Sequence, residues 1–356
     1  MKNFVISELP PSEDIETKQI LRQTAQSHRY LAELKGISQT IPNQSILINT
    51  LPLLEAKDSS AIENIITTHD ELYKEDLFGD FITNANAKEV RDYAQALKAG
   101  FEEVKRKGCL TNNQIIEIQG RIEHNDAGFR KLPGTELKSS QTGETVYIPP
   151  QDNAEILRLM SNLEKYINDD SFSPVDPLIK MAVIHYQFES VHPFYDGNGR
   201  TGRIINVLYL VLTGLLDLPV LYLSRYIIRT KSEYYRLLQD VRDNGKWEEW
   251  LLYMLQGIEE TAIETIDIII KIRQLMQNYK LRIRENYKFY SQDLLNNLFC
   301  HPYTKIEFLE HDLRVSRQTA SKYLETLAGD GFLQKEKIGN YNFYINTPLF
   351  NIFLQK

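Results

Sequence analysis

Two apolar stretches of helical character meet at a short polar turn rich in glycine, and that junction constrains the chain more than any other feature. KMAVIHYQFESVHPF leads into it, Tyr195-Asp196-Gly197-Asn198-Gly199-Arg200-Thr201-Gly202-Arg203 forms it, and IINVLYLVL leads out. The spacing predicts one helix over about 175–190 and a second that starts after the glycines at 197–202 and runs to about Leu212. The fold is therefore expected to be mainly α, with a helix N-terminus presented beside the turn. Ile204 to Leu223 is apolar enough to raise the question of a membrane span, but it carries Asn206, Asp217 and Pro219, and two arginines stand just before it. A buried core helix ending near Gly214, followed by a second apolar piece, accounts for it better.

Each residue type in the turn has a task if the ligand is a nucleoside triphosphate. Gly197 and Gly199 have no side chain to keep backbone N–H groups away from phosphate oxygens. The helix that begins there adds unpaired N–H groups and partial positive charge. Arg200 and Arg203, three apart at a helix start, offer forks of donors that suit phosphate. Asp196 is a hard oxygen ligand suited to Mg²⁺, and His192 has a side chain able to take a proton from an attacking hydroxyl. Other readings fit less well. GNGRTG matches the glycine pattern of a dinucleotide-binding loop, with Asp217 downstream, but a helix rather than a buried strand precedes it. No Gly-Lys-Ser or Gly-Lys-Thr supports a Walker loop, and His185 with His192 lacks the spacing of a zinc hydrolase, so His185 reads as a core histidine. The bland alternative is a decorated helix-capping turn whose arginines pair with Glu189 or Asp196.

Elsewhere, helices are expected over 13–36, 56–73, 87–106, 111–123, 153–168, 231–243 and 247–281, with the stretch ISQTIPNQSILINTLPLLE left loop-like. FRKLPGTELKSSQTGETVYIPP reads as a β-hairpin closed by Pro149-Pro150. The last seventy or so residues give two helices, the second capped by Ser316, and then a hairpin around Gly339-Asn340, an order that resembles a winged helix-turn-helix domain. Cys109 and Cys300 fit no metal or redox spacing and are expected to be buried thiols. With 48 acidic against 41 basic residues, the chain is no general coat for nucleic acid, and the polar stretch Met1 to Glu8 does not read as a secretory signal. A cytoplasmic location with no membrane contact is expected.

From His192 to Arg203 the sequence resembles the motif of the Fic family, H-x-F-x-D/E-G-N-G-R-x-x-R, at every specified position. The wider pattern is similar to bacterial Fic proteins: an N-terminal helical region (1–105), a Fic helical core with a β-hairpin flap (106–225), a helical extension (226–284) and a C-terminal winged helix (285–356). The resemblance implies transfer of AMP from ATP to a Ser, Thr or Tyr hydroxyl of a protein, with ATP and Mg²⁺ required. It implies His192 as base, Asp196 as Mg²⁺ ligand, and Gly197-Asn198-Gly199 as the anion turn, with Asn198 at the α-phosphate. Arg200 would hold the β-phosphate, Arg203 the γ-phosphate, and Phe194 would anchor the loop in the core.

Ser59 to Asn64 matches the family's inhibitory pattern [ST]-x-x-x-E-[GN], which implies that Glu63, one helical turn from Ser59, pairs with Arg203 where the γ-phosphate belongs. The flap, roughly Leu137 to Ile148, is expected to dock an extended target by strand pairing, with Thr145, Val146, Tyr147 and Ile148 at the contact. Partners would be a protein substrate and the chain itself by self-modification. Tyr222, Tyr226 and Tyr234 are read as core rather than as an adenine pocket. Residues 287–356 hold eight Lys or Arg against seven Asp or Glu, too even a balance to favour DNA, although Arg317, Gln318 and Lys322 lie on the candidate recognition helix. Protein contact, homodimer formation or structural support are the other roles open to this part. The alternative reading of the whole chain is a DNA-binding or protein-interaction regulator whose Fic core senses nucleotide.

Overall fold

A computed structural model describes residues 6–72, 84–138, 142–338 and 341–354, and these are mainly helical. In order come α1 (Lys18–Ser38), α2 (Ser45–Ile62), α3 (Ala85–Lys107), α4 (Asn112–Glu123), β1 (Leu137–Lys138), β2 (Thr145–Tyr147), α5 (Asn153–Asn168), α6 (Pro177–Val191) and α7 (Asn198–Leu212). Then follow α8 (Ser224–Arg229), α9 (Lys231–Asn244), α10 (Trp247–Asn286), α11 (Gln292–Cys300), β3 (Tyr303–Lys305), α12 (Ile306–Leu313), α13 (Arg317–Gly329), β4 (Gln334–Ile338), β5 (Tyr341–Ile345) and α14 (Thr347–Leu354). Strands β1 and β2 pair antiparallel, and β3, β5 and β4 form a second antiparallel sheet in that order.

Helix α6 is the axis of the core. Every residue from Leu178 to Val191 is buried, so the helix has no solvent-exposed face and must be wrapped by others. Helix α7 turns back along it, with α4, α5 and α3 outside the pair. Helix α1 lies along α10, where the Ser27 hydroxyl donates to the Leu255 carbonyl at 2.8 Å. Beyond its middle, α10 carries the C-terminal elements, and Tyr279 donates from its hydroxyl to the Phe332 carbonyl at 2.7 Å. Helix ends follow their side chains: Asn84 caps α3, whose C-terminus closes on Gly108 at φ 66°, and Thr111 with Gln114 makes a reciprocal capping box on α4.

Several expectations need correction. The expected helix over 56–73 starts eleven residues earlier and ends at Ile62, so most of the stretch read as loop is helix α2, with Pro52 inside it. Its residues Ile46, Leu47, Leu51, Pro52, Leu53 and Leu54 are all buried, which erases the one-sided pattern that marks a helix. Pro52 removes one backbone hydrogen bond, a loss the surrounding core outweighs. Residues 13–17 lie outside α1, and α8, α11 and α14 had no sequence reading as separate helices. The expected hairpins are present, but their turns at 139–141 and 339–340 lie outside the described residues, as does the end of the stretch at 73. Cys300 is buried and Cys109 is only partly so. No helix among the described residues is long and apolar enough to cross a membrane.

Candidate active site

Helix α6 stops because His192 takes a left-handed conformation, φ 49° and ψ 59°, and Pro193 follows. That conformation costs a residue with a Cβ on the order of 1 kcal/mol, so neighbours must hold it. Arg130 does so. It is fully buried, its Nε donates to the His192 carbonyl at 2.8 Å, and its Nη2 donates to the carbonyls of Val191 (3.3 Å) and Pro150. The Arg130 backbone N–H also reaches the Pro193 carbonyl at 2.8 Å. One side chain thus fixes the histidine turn and the end of the flap together.

The turn is closed from the other side by Asn198. Its side-chain amide donates to the Phe194 carbonyl and accepts from the Phe194 N–H, both at 2.8 Å, while the Phe194 ring packs against Phe129 and Phe188 in the core. The Asn198 side chain is thus committed to the loop, and what the residue can offer an anion is its backbone N–H. Asn198, Gly199 and Arg200 are the first residues of α7, so their N–H groups have no partner within the helix. Gly197 precedes them at φ 76°, and a Cβ there would lie 2.6 Å from Glu123 Oε1. Asp196 lies at the mouth, with Oδ1 accepting the Gly197 N–H at 2.7 Å.

A cleft of about 550 Å³ opens over this turn, lined among others by Glu63, Glu89, Glu123, His192, Asp196 and Arg200. Burial, then the charges of Arg242 and Arg130, push the His192 imidazole down to about 3, so the ring is neutral near pH 7. No group of three or more His, Cys, Asp or Glu among the described residues could hold a metal by itself. Asp196 alone fits the Mg²⁺ pattern in which one carboxylate and the substrate's phosphates share the ion.

Both arginines of the turn are held by carboxylates. Arg203, 2 % exposed, donates from Nε to the Ser59 hydroxyl at 2.7 Å and from Nη2 to the Ser59 carbonyl (3.1 Å) and Glu63 Oε1 (2.8 Å). Burial alone would raise the Glu63 carboxyl, but Arg203, aided by Arg200, outweighs it and holds it below the usual range. The local fold explains why an asparagine follows Glu63. Asn64 sits at φ 65° just past α2, with bonds from Ile65 N–H to the Ser60 carbonyl and from Asn64 N–H to the Ala61 carbonyl, both 3.0 Å. That closure requires a residue tolerant of the left-handed region, Gly or Asn, directly after the glutamate. A Cβ on Gly199 would come within 2.3 Å of Glu63 Oε1, so the second glycine of the turn makes room for this carboxylate. Arg200 in turn donates to Glu123 at 2.5 Å and to Glu89 at 3.2 Å.

In the flap, Val146 and Ile148 face solvent, 49 % and 45 % exposed, and Thr145 donates to Glu136 at 2.9 Å. Tyr147, expected at the docking surface with them, points inward instead. Its hydroxyl donates to the Ser190 carbonyl at 2.8 Å and Arg242 stacks on its ring, so it anchors the flap. The reason is strand alternation: neighbours of an outward Val146 and Ile148 must face the core. His185 is a core residue as expected, bonded to the Tyr234 hydroxyl (2.7 Å) and Asn206 (3.0 Å), and Tyr222, Tyr226 and Tyr234 are buried. Asp217 pairs with Lys35 at 3.1 Å, far from any dinucleotide role. Arg130, Glu89 and Glu123 carried no sequence signal. Their bonds to His192 and Arg200 each span more than 60 residues of chain, and none belongs to a local pattern.

The helical core thus sets unpaired helix-start N–H groups, two buried guanidiniums and a neutral imidazole around one turn. Three family models match in succession, Fic/DOC family N-terminal over residues 21–102, Fic/DOC family over 109–210, and the C-terminal domain of SoFic-like protein adenylyltransferases over 275–349. The chain belongs to the Fic family. It is 29 % identical over 153 residues to "Protein adenylyltransferase Fic" of Drosophila erecta, a stretch covering 43 % of this chain and 28 % of the fly protein. It is 35 % identical over 154 residues to "Protein adenylyltransferase fic-1" of Caenorhabditis briggsae, covering 42 % of this chain and 27 % of that one. The match thus spans little more than a quarter of the length of these curated relatives. Among solved structures, a Fic family protein from Desulfovibrio desulfuricans G20 shares the fold over 95 % of this chain and 98 % of its own, with TM-score 0.61 and 18 % identity. Fic-1 from C. elegans does so over 70 % of this chain and 73 % of its own, with TM-score 0.54 and 20 % identity.

Proposed function

We propose that this protein transfers AMP from ATP to a hydroxyl side chain of a protein, with His192 as general base and Glu63 as a built-in brake. The observation that carries the reading is a neutral, partly exposed imidazole in the cleft over the glycine turn of a Fic motif complete from His192 to Arg203. In the reaction, a target hydroxyl oxygen forms a bond to the α-phosphorus, the bond from that phosphorus to the bridging oxygen of the pyrophosphate breaks, and His192 takes the hydroxyl proton. Backbone N–H groups of Asn198, Gly199 and Arg200 face the charge that develops on the phosphoryl oxygens. Arg200 and Arg203 hold the departing pyrophosphate. Mg²⁺ held by Asp196 and the phosphates would supply charge neutralisation of the leaving group. The exposed Val146 and Ile148 edge aligns the target backbone by strand pairing, without demanding its sequence.

The brake acts by occupancy. A carboxylate on Arg203 stands where the outermost phosphate would bind, and like charges repel. Glu63 ends a helix whose C-terminal dipole disfavours a negative charge, so the position is held by Arg203 rather than by capping. Residues 1–105 then carry the brake, 106–225 the chemistry, 226–284 a helical extension, and 285–356 a winged-helix unit, whose three-stranded sheet and helices α12 and α13 support that assignment. A cytoplasmic protein substrate and self-modification are the partners this reading implies.

The experiment is incubation of the Glu63→Gly protein with ATP labelled at the α-phosphate and, in parallel, at the γ-phosphate. Adenylyl transfer leaves label on protein from the α position only. Label from the γ position would mean phosphorylation, and label from neither would leave a nucleotide sensor as the better description.

A further inference from the structure

The cleft proposed for a triphosphate is electrostatically set against one. Among its described lining residues stand four carboxylates, Glu63, Glu89, Glu123 and Asp196, and a single guanidinium, Arg200. Glu63 accounts for only part of this. Arg200, 6 % exposed at its side chain, is bonded to two carboxylates that no inhibitory pattern includes: Glu123 on Nη2 at 2.5 Å and Glu89 on Nη1 at 3.2 Å.

From this arrangement, and resting on the reading above, we infer that Glu123, assisted by Glu89, is a second lock on the nucleotide site, which holds Arg200 away from phosphate as Glu63 holds Arg203. Glu123 is the last residue of α4, where the helix dipole disfavours a carboxylate and no cap requires one. Its side chain lies directly against the anion turn, since a Cβ on Gly197 would meet Oε1 at 2.6 Å. It is 15 % exposed, against 42 % for Glu89, so its charge is the less screened of the two and its hold the stronger. The two locks sit on different elements. Glu63 is carried by α2, outside the α6–α7 hairpin, whereas Glu123 belongs to α4, packed on α7 within the core. Withdrawing α2 frees Arg203 and leaves Arg200 occupied. Loss of Glu63 alone therefore yields a partly opened site, and a triphosphate must still displace Glu123.

The opposite role on the same contacts would be to aim Arg200 at the phosphate. The two roles differ in sign. Glu123→Gln keeps the shape and an acceptor for Arg200 while removing the charge. In full-length protein carrying Glu63→Gly, isothermal titration with MgATP and with inorganic tripolyphosphate is expected to show Glu123→Gln tightening both by about 5-fold, the scale of one partly screened charge contact. Glu89→Gln, a surface change with little bearing on folding, is expected to tighten both by a smaller factor in the same direction. Unchanged or weaker binding in the Glu123→Gln protein overturns the second lock. If the Glu63→Gly protein binds ATP and takes up α-label while the Gln variants change nothing, this inference alone falls. If no variant binds either probe, the nucleotide-transfer reading falls with it.

Discussion

Replacing Glu63 with glycine should destabilise the empty protein and make it respond to ATP. The change removes the only carboxylate bonded to Arg203 among the described contacts, leaving a guanidinium 2 % exposed with only the Ser59 hydroxyl and carbonyl. Breaking a fully buried ion pair costs about 3–5 kcal/mol. The Glu63 side chain is 36 % exposed, so water already screens the pair and the cost falls to about 1–3 kcal/mol. Glu189 pulls toward the lower end, because its carboxyl, pushed up to about 7 by burial against the pull of Arg203, can ionise to replace the lost charge. At roughly 2 °C per kcal/mol for a chain of this size, the melting temperature should fall by roughly 2–6 °C. Saturating MgATP then supplies the missing anion: at about 100 times its Kd it returns about 2.7 kcal/mol. Differential scanning fluorimetry with and without MgATP reads both effects. The expected pattern is a lower melting temperature for the variant without nucleotide, and a larger upward shift on adding ATP than the parent shows. Equal melting temperatures and equal ATP shifts would refute the idea that Glu63 stands in for a phosphate.

Arg130→Ala should lower transfer by about 10²-fold or more with little change in ATP affinity, because the carbonyls of His192 and Val191 lose their donor while the helix start that binds phosphate is untouched. Comparing kcat with ATP affinity by titration checks this, and a pure loss of affinity would contradict it. The pH dependence has a definite sign. A base must be unprotonated, and burial holds the free His192 well below 6.5, so the acid limb of kcat/KM for ATP should lie below the ordinary histidine value. Bound phosphates favour the imidazolium, so the acid limb of kcat should lie at higher pH than that of kcat/KM. Coincident limbs near 6.5 would be inconsistent with this environment.

The chemistry-bearing segment was legible because its residues are contiguous. His192 to Arg203 carries base, turn and guanidiniums within twelve positions, and the flanking helices announce themselves by apolar spacing. Ser59 and Glu63 were legible for the same reason, even though the helix that bears them begins far earlier than its periodicity suggested. Helix α2 is buried along most of its length and contains Pro52, so neither an apolar stripe nor a clean composition marks it. The inward turn of Tyr147 follows from strand alternation but depends on which face meets the core, which no local pattern states. Arg130, Glu89 and Glu123 were invisible because each works only through a partner brought near by the fold. The loop-closing role of the Asn198 side chain was not legible either: its polar groups suit a phosphate and a loop carbonyl equally, and only the turn geometry decides between them.

The most direct test sets His192 against the turn beside it. In a Glu63→Gly background, His192→Ala should leave MgATP affinity within about 3-fold, because helix-start N–H groups and arginines do the binding, while incorporation of α-label into protein drops at least about 10²-fold. Incorporation that continues at the unmutated rate would show that the imidazole over the glycine turn is not the base.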